Sequence, residues 1–173
     1  MIRTNIRFMT LSALFAALLC ICAWICIPVS DIGITLQTFG IFLALMLLGG
    51  KWGSISIGIY LLLGAVGLPV FSGFRGGIGH LLGVSGGFLW GFLISGLVYR
   101  TLERFGKLPA AVAGLLCCYF CGCLWFYGYT GGGLSLILLR CVIPYLLPDA
   151  LKLWLAFGLT RHLEKVIKVP SRT

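Results

Sequence analysis

The chain has 173 residues, 60% of them hydrophobic and only 10% charged, with a formal net charge of +9 and a mean hydropathy of +1.10. Soluble domains carry about 25% charged residues, and a water-soluble fold of this composition would expose large apolar patches and aggregate. Composition therefore excludes a soluble globular domain and points to one membrane domain over residues 1–173.

About 20 mostly apolar residues cross a bilayer as a helix. The first such span runs from about Phe8 to Ile27 and stops at Pro28. Its apolar run is longer than that of a signal peptide and no small-residue cleavage site follows, so the span is expected to stay in the protein. It carries Ala13-x-x-x-Ala17, a spacing of small residues suited to close helix approach or to internal packing. The connection SDIGITLQTFG then offers Thr35, Gln37 and Thr38 as neutral hydrogen-bonding groups near the start of a second span, about Leu36 to Gly49. A GGKWG turn leads into a third, about Trp52 to Gly67.

Residues 67–87 read GLPVFSGFRGGIGHLLGVSGG, long, glycine-rich and almost free of charge. Glycine lets backbone approach a ligand closely, and long irregular loops in compact domains tend to be binding segments. A fourth span, about Gly86 to Tyr99, ends in RTLERFGK, and its Gly87-x-x-x-Gly91 reads as internal packing. The fifth, about Pro109 to Tyr127, carries Cys117, Cys118, Cys121 and Cys123 and stops at GYTGGG. These cysteines, like Cys20, Cys22, Cys26 and Cys141, fall in apolar segments with no histidine or carboxylate near in sequence. They read as small structural side chains rather than as metal ligands or disulfides. The remainder divides into a half-helix, Leu134 to Ile143, and a last span, about Pro148 to Glu164. The expected fold is an all-α integral membrane protein of six transmembrane helices with glycine-rich outer loops.

The basic residues argue against a nucleic-acid partner, because they segregate by loop. Arg3, Arg7, Lys51, Arg100, Arg104, Lys107, Arg161, Lys165, Lys168 and Arg172 fall on one side of six alternating spans, and the opposite connections hold Arg75. Basic residues concentrate on the cytoplasmic side of membrane proteins, so both termini are expected there. No G-x-x-x-x-G-K-[ST] phosphate loop is present. With His80 and His162 as the only histidines, no catalytic set emerges either.

Asp149 and Lys152 are the strongest chemical signal. A charge near mid-bilayer costs about 2.5–3.5 kcal/mol and usually faces a cavity or a partner. The two residues are three apart and so share a helix face. They either neutralise one another at a helix start or form part of a ligand site, beside Pro144 and Pro148. With the neutral groups of the outer connections they suggest a pocket for a small organic molecule. The aromatics Phe71, Trp125, Tyr127 and Tyr129 either wall that pocket or anchor at the membrane interface.

The stretch ITLQTFGIFLALMLLGGKWGSISIGIYLLLGAVGLPVFSGFRGGIG closely resembles the BioY biotin transporter family, the substrate-binding (S) components of energy-coupling factor transporters. Pro144-x-x-x-x-Asp149-x-x-Lys152 resembles that family's signature at the start of its last helix, whereas VSGGF at residues 84–88 departs from a PTGGY-like run. The resemblance implies an S component of the prokaryotic plasma membrane that binds biotin near the outer face without a cofactor. Its implied partners are a transmembrane coupling subunit, met by Ala13 and Ala17, and two cytoplasmic ATPases. Biotin has two ureido N–H donors, one ureido carbonyl and a carboxylate. Asp149 then suits the ureido N–H groups, Lys152 the ureido oxygen or the Asp149 charge, and Arg75 the carboxylate. Thr35, Gln37, Phe71, Gly73, Gly76, Gly77, Trp125 and Tyr127 complete the candidate ligand shell. An S component for another vitamin, an intramembrane enzyme or a structural membrane protein are the other readings.

Overall fold

The structure, a computed structural model, describes residues 2–27 and 33–166. Pro28, Asp31, Lys168 and Arg172, and the side chain of Arg3, lie outside the described residues. Helix α1 (Ile2–Trp24) turns Phe8, Ser12, Phe15, Ala16, Leu19 and Ala23 inward, a three–four spacing that makes one continuous stripe. Phe8 stacks on Trp52 at 5.6 Å, and the Ser12 hydroxyl donates to the Trp52 carbonyl at 3.2 Å. The other face presents Met9, Ala13, Leu14, Ala17 and Ile21, all exposed.

The helix ends three residues before the expected limit at Ile27. Cys26–Ile27 form a short strand, β1, antiparallel to β2 (Ile34–Thr35), with Cys26 opposite Thr35. The Leu36 N–H donates to the Ile25 carbonyl at 3.1 Å and closes this hairpin onto the next helix. Backbone pairing has replaced helix where β-branched residues meet across the connection.

Helix α2 (Gln37–Ala65) is broken at Gly49, whose φ of 83° and ψ of 166° are not helical. The break is a reversal. A Cβ added at Gly53 would fall 2.8 Å from the Leu45 Cα, and Gln37 Nε2 lies 2.6 Å from the Tyr60 hydroxyl. In a straight helix, residues 23 apart would be separated by about 34 Å. The first arm, residues 37–48, is buried on nearly every side, and the second, residues 50–65, runs back beside it. Lys51, expected between two spans, already belongs to the second arm, because the turn needs only the two glycines. The free N–H of Gly50 donates to Glu103 Oε2 at 2.9 Å, which satisfies one orphan donor of a helix start.

Residues 66–85 form the glycine-rich loop, with a one-turn helix α3 (Ile78–Leu81) inside it. Trp24 fastens this loop to the end of α1. Its indole N–H donates to the Pro69 carbonyl at 2.8 Å, and its ring stacks on Phe74 at 5.1 Å. Helices α4 (Gly86–Leu102) and α5 (Lys107–Thr130) pack most closely. A Cβ at Gly87 would lie 2.2 Å from the Trp125 Cβ, and one at Gly91 would lie 3.1 Å from the Cys118 carbonyl oxygen. Without a hydrophobic drive between helices in lipid, such small residues supply the close contact.

A short α6 (Leu134–Cys141) precedes α7 (Ile143–Val166). The last helix therefore starts five residues before the expected Pro148. That proline lies inside it, and the donor it lacks would have met the Pro144 carbonyl. Asn5–Trp24, Gln37–Ala65 and Lys107–Thr130 are long and apolar enough to cross a membrane. The protein is thus a mostly helical membrane protein with two unlike ends. Phe8, the Gly49 turn, Glu103 and an ion pair between Lys107 and Glu164 gather at one end. The β1–β2 hairpin and the 66–85 loop lie at the other.

Gly49 holds a backbone conformation that is essentially restricted to glycine, and forcing another residue into it costs about 1–3 kcal/mol. Gly49→Ala is expected to lower stability by about that amount. Gly58→Ala, in open space on the second arm, is expected to leave it unchanged or slightly raised. Thermal unfolding in detergent reads both, and equal stability of the two variants would show that the reversal does not depend on Gly49.

Candidate functional site

A cavity of about 240 Å³ opens at the hairpin end of the bundle. Helical starts build most of it. Thr35, Gln37 and Thr38 come from β2 and the first turn of α2, Phe88, Leu89 and Phe92 from the first turns of α4, and Tyr145, Asp149 and Lys152 from the first turns of α7. Leu115, Cys118 and Tyr119 come from the middle of α5, and Ser72, Gly73, Arg75, His80 and Ser85 from the loop. The walls are apolar and the polar groups collect in three places, the usual composition of a small-molecule site.

The first polar group is the Asp149 cluster. Lys152 Nζ donates to Asp149 Oδ1 at 2.8 Å, and the Tyr119 hydroxyl donates to Oδ2 at 2.7 Å. Asp149 is 4% exposed and Lys152 9%, so the pair is shielded from lipid as well as water. A carboxylate has about four lone-pair sites and an ammonium three donors. These contacts leave capacity on both residues for a ligand that carries N–H donors and a carbonyl.

The second is the Gln37 amide. Its Oε1 accepts from the Thr35 hydroxyl at 3.0 Å, and its Nε2 donates to Tyr60. Both partners hold the amide in one orientation at the cavity edge. The third is the loop group, where His80 stacks on Phe71 at 5.3 Å and its Nε2 lies 3.5 Å from Ser85 Oγ. Arg75 is exposed at the mouth.

Of the candidate residues, Thr35, Gln37, Gly73, Arg75, Asp149 and Lys152 line this cavity, together with Thr38. Phe71, Gly76, Gly77, Trp125 and Tyr127 do not. Phe71 is fully buried behind the wall, edge-on to Tyr60 at 5.6 Å. It fills the space that Gly64 leaves, where a Cβ would fall 2.0 Å from the ring. Gly76 packs on the Leu68 carbonyl, and the Gly77 N–H donates to the Gly64 carbonyl at 2.7 Å, so both shape the loop. Trp125 turns toward α4, with its indole N–H on the Gly83 carbonyl at 3.0 Å. Tyr127 is 56% exposed.

Sequence reading missed Tyr119, the residue that completes the Asp149 cluster, along with the apolar wall. The signal was available as spacing. Leu115, Cys118 and Tyr119 share one helix face, as do Phe88, Leu89 and Phe92, and Tyr145 stands four residues before Asp149. Cys26, read as part of an apolar span, lies on β1 and lines the cavity. The cysteines are free, and among the described residues no group of His, Cys, Asp and Glu is arranged to hold a metal ion.

The profile of the BioY family matches residues 1–169. The probable biotin transporter BioY of Pyrococcus horikoshii is 37% identical over 155 residues, covering 90% of this chain and 94% of that protein. The biotin transporter BioY of Thermotoga maritima is 37% identical over 160 residues, with the same shares covered. Among solved structures, the crystal structure of the S component for biotin from an ECF-type ABC transporter superposes with a TM-score of 0.86. It is 29% identical in sequence, over 94% of this chain and 93% of that one.

Proposed function

Because the chain belongs to the BioY family, whose members are transporters and not enzymes, we propose that it captures biotin as the S component of an energy-coupling factor transporter. The observation that carries this reading is the Asp149–Lys152–Tyr119 cluster at the cavity wall. A buried carboxylate with unused acceptor capacity suits the ureido N–H donors, and the adjacent ammonium suits the ureido oxygen. Arg75, at the mouth, suits the carboxylate. Thr35, Gln37 and Gly73 complete the polar lining, and Phe88, Phe92 and Tyr145 give the apolar ring and chain their contact area.

In this reading the two arms of α2 cross the membrane separately and, with α1, α4, α5 and α7, make six crossings of a prokaryotic plasma membrane. The basic end is cytoplasmic and the cavity opens outward. Cysteine-accessibility labelling is expected to place both termini inside and residues 72–79 outside. Labelling of the two termini from opposite sides would overturn the six-crossing count.

Energy comes from outside the chain, because the sequence has no phosphate-binding loop. The partners are a transmembrane coupling subunit and two cytoplasmic ATPases. Ala13 and Ala17 are exposed on α1 while Ala16 beside them is buried, which suits a surface for close helix contact. Changing both exposed alanines to Leu is expected to preserve biotin binding and abolish co-purification with the coupling subunit. Undiminished co-purification would remove this face from the interface.

The ligand role of the charged pair is separable from self-neutralisation by a mutant cycle. Asp149→Asn and Lys152→Met each leave a buried charge without its partner, so each is expected to destabilise the fold by about 3–5 kcal/mol. Each is also expected to weaken biotin binding by about 1.5–3 kcal/mol, or roughly 10- to 150-fold. The double variant restores charge balance and is expected to regain stability without regaining affinity. Calorimetric titration with biotin and thermal unfolding read the two effects. Near-native affinity in the double variant would reduce the pair to a structural ion pair, and turnover of a substrate would favour an enzyme.

A further inference from the structure

His80 lines the cavity from α3, a position that the biotin reading leaves without a role. Its ring is held on one side by the stack on Phe71, which is itself wedged against Tyr60 and into the hollow over Gly64. Ser85 Oγ stands 3.5 Å from Nε2, so the stacked ring turns this nitrogen toward the start of α4. Arg75 lines the same part of the cavity. Burial first, and then the Arg75 charge, hold the imidazole below the usual histidine range. The ring is therefore neutral in the empty cavity at neutral pH.

The other titratable groups around it do not offset Arg75. Asp149 and Lys152, on α7 in the cavity wall, neutralise one another at 2.8 Å. Tyr119 on α5 is bonded to Asp149, and Tyr60 lies behind Phe71. Among the described residues, Arg75 has no carboxylate partner. An anion entering beside it would reverse the local potential at His80, since a nearby negative charge favours the imidazolium.

We propose that His80 is a second anchor for the ligand's carboxylate, beside Arg75, and that it takes up a proton as the anionic ligand binds. The inference rests on the biotin reading above. A group whose pKa is higher in the complex than in the empty protein contributes its full extra affinity below the empty-state pKa. That affinity is lost as pH rises through the value in the complex.

The test measures biotin affinity in detergent between about pH 8 and pH 5.5, a range in which an ordinary carboxyl group stays ionised. The same titration uses biotin carboxamide, which has no charge. Biotin is expected to bind more tightly as pH falls, by about tenfold for each unit by which binding raises the imidazole pKa. The carboxamide is expected to bind with no such slope, and His80→Gln is expected to flatten the biotin curve. A flat curve for biotin, or the same slope for both ligands, overturns the anchor, and the two-ligand comparison needs no variant to fold. A slope that survives in folded His80→Gln assigns the proton elsewhere and also overturns it. Absence of binding by both ligands at every pH would remove the biotin reading and the anchor with it, whereas binding without a slope removes the anchor alone.

Discussion

A carboxylate enclosed by apolar helices is stable only where donors meet it, and Asp149 has drawn two helices together for that purpose. Its partners are Lys152, one turn further along the same helix, and Tyr119 on α5. Helices α5 and α7 otherwise touch little, and this cluster joins them at the cavity while the Lys107–Glu164 ion pair joins them at the opposite end. It also sets the width of the cavity, because the separation of the two helix backbones is bridged by one tyrosine and one aspartate side chain. Removing a partner from such a group is costly, because no water is there to replace it.

The rest of the architecture distributes packing unequally between the two ends. At the basic end the chain reverses on two glycines, and Gly50 lies so near α4 that a Cβ there would fall 2.4 Å from the Arg100 Cα. Backbones meet almost directly, and no space is left. At the opposite end Phe88, Phe92 and Tyr145 stand in the first turns of their helices, and a loop rather than a helix closes the gap. Gly87 still brings α4 against α5 at this end, and the cavity lies among the first turns of α2, α4 and α7 and the middle of α5, with the 66–85 loop closing part of its wall.

Much of this was legible from hydropathy and from a few residues whose chemistry is rare in an apolar chain. Asp149 and Lys152 stood out because charge is costly in such a setting, and Thr35, Gln37 and Arg75 because they flank spans where polar groups are sparse. Element limits were less legible. Cys26 and Ile27 are as apolar as the helix before them, and only the pairing with Ile34 and Thr35, eight residues on, turns them into strand. The start of α7 was hidden by Pro148, which marks a helix beginning in most settings but here lies within one. The aromatics misled for a related reason. Composition shows that Trp125 and Tyr127 are near a helix end, yet the side they face depends on how α5 meets α4. That depends in turn on Gly87 and Gly122, whose missing side chains admit Trp125 and Phe88. Tyr119 escaped notice because a lone hydroxyl in an apolar helix has no meaning until the helix opposite is in place.

The Gln37 amide carries a consequence of its own. Thr35 and Tyr60 hold it from two different segments, so its rotamer is chosen when the chain folds. Ordering a flexible polar side chain at a binding surface costs about 0.5–1.5 kcal/mol, and that loss is already incurred in the empty protein. The rim of the cavity therefore works as a rigid template. It rewards a molecule whose own donors and acceptors are fixed in a ring, and it has little capacity to reshape itself around a flexible one.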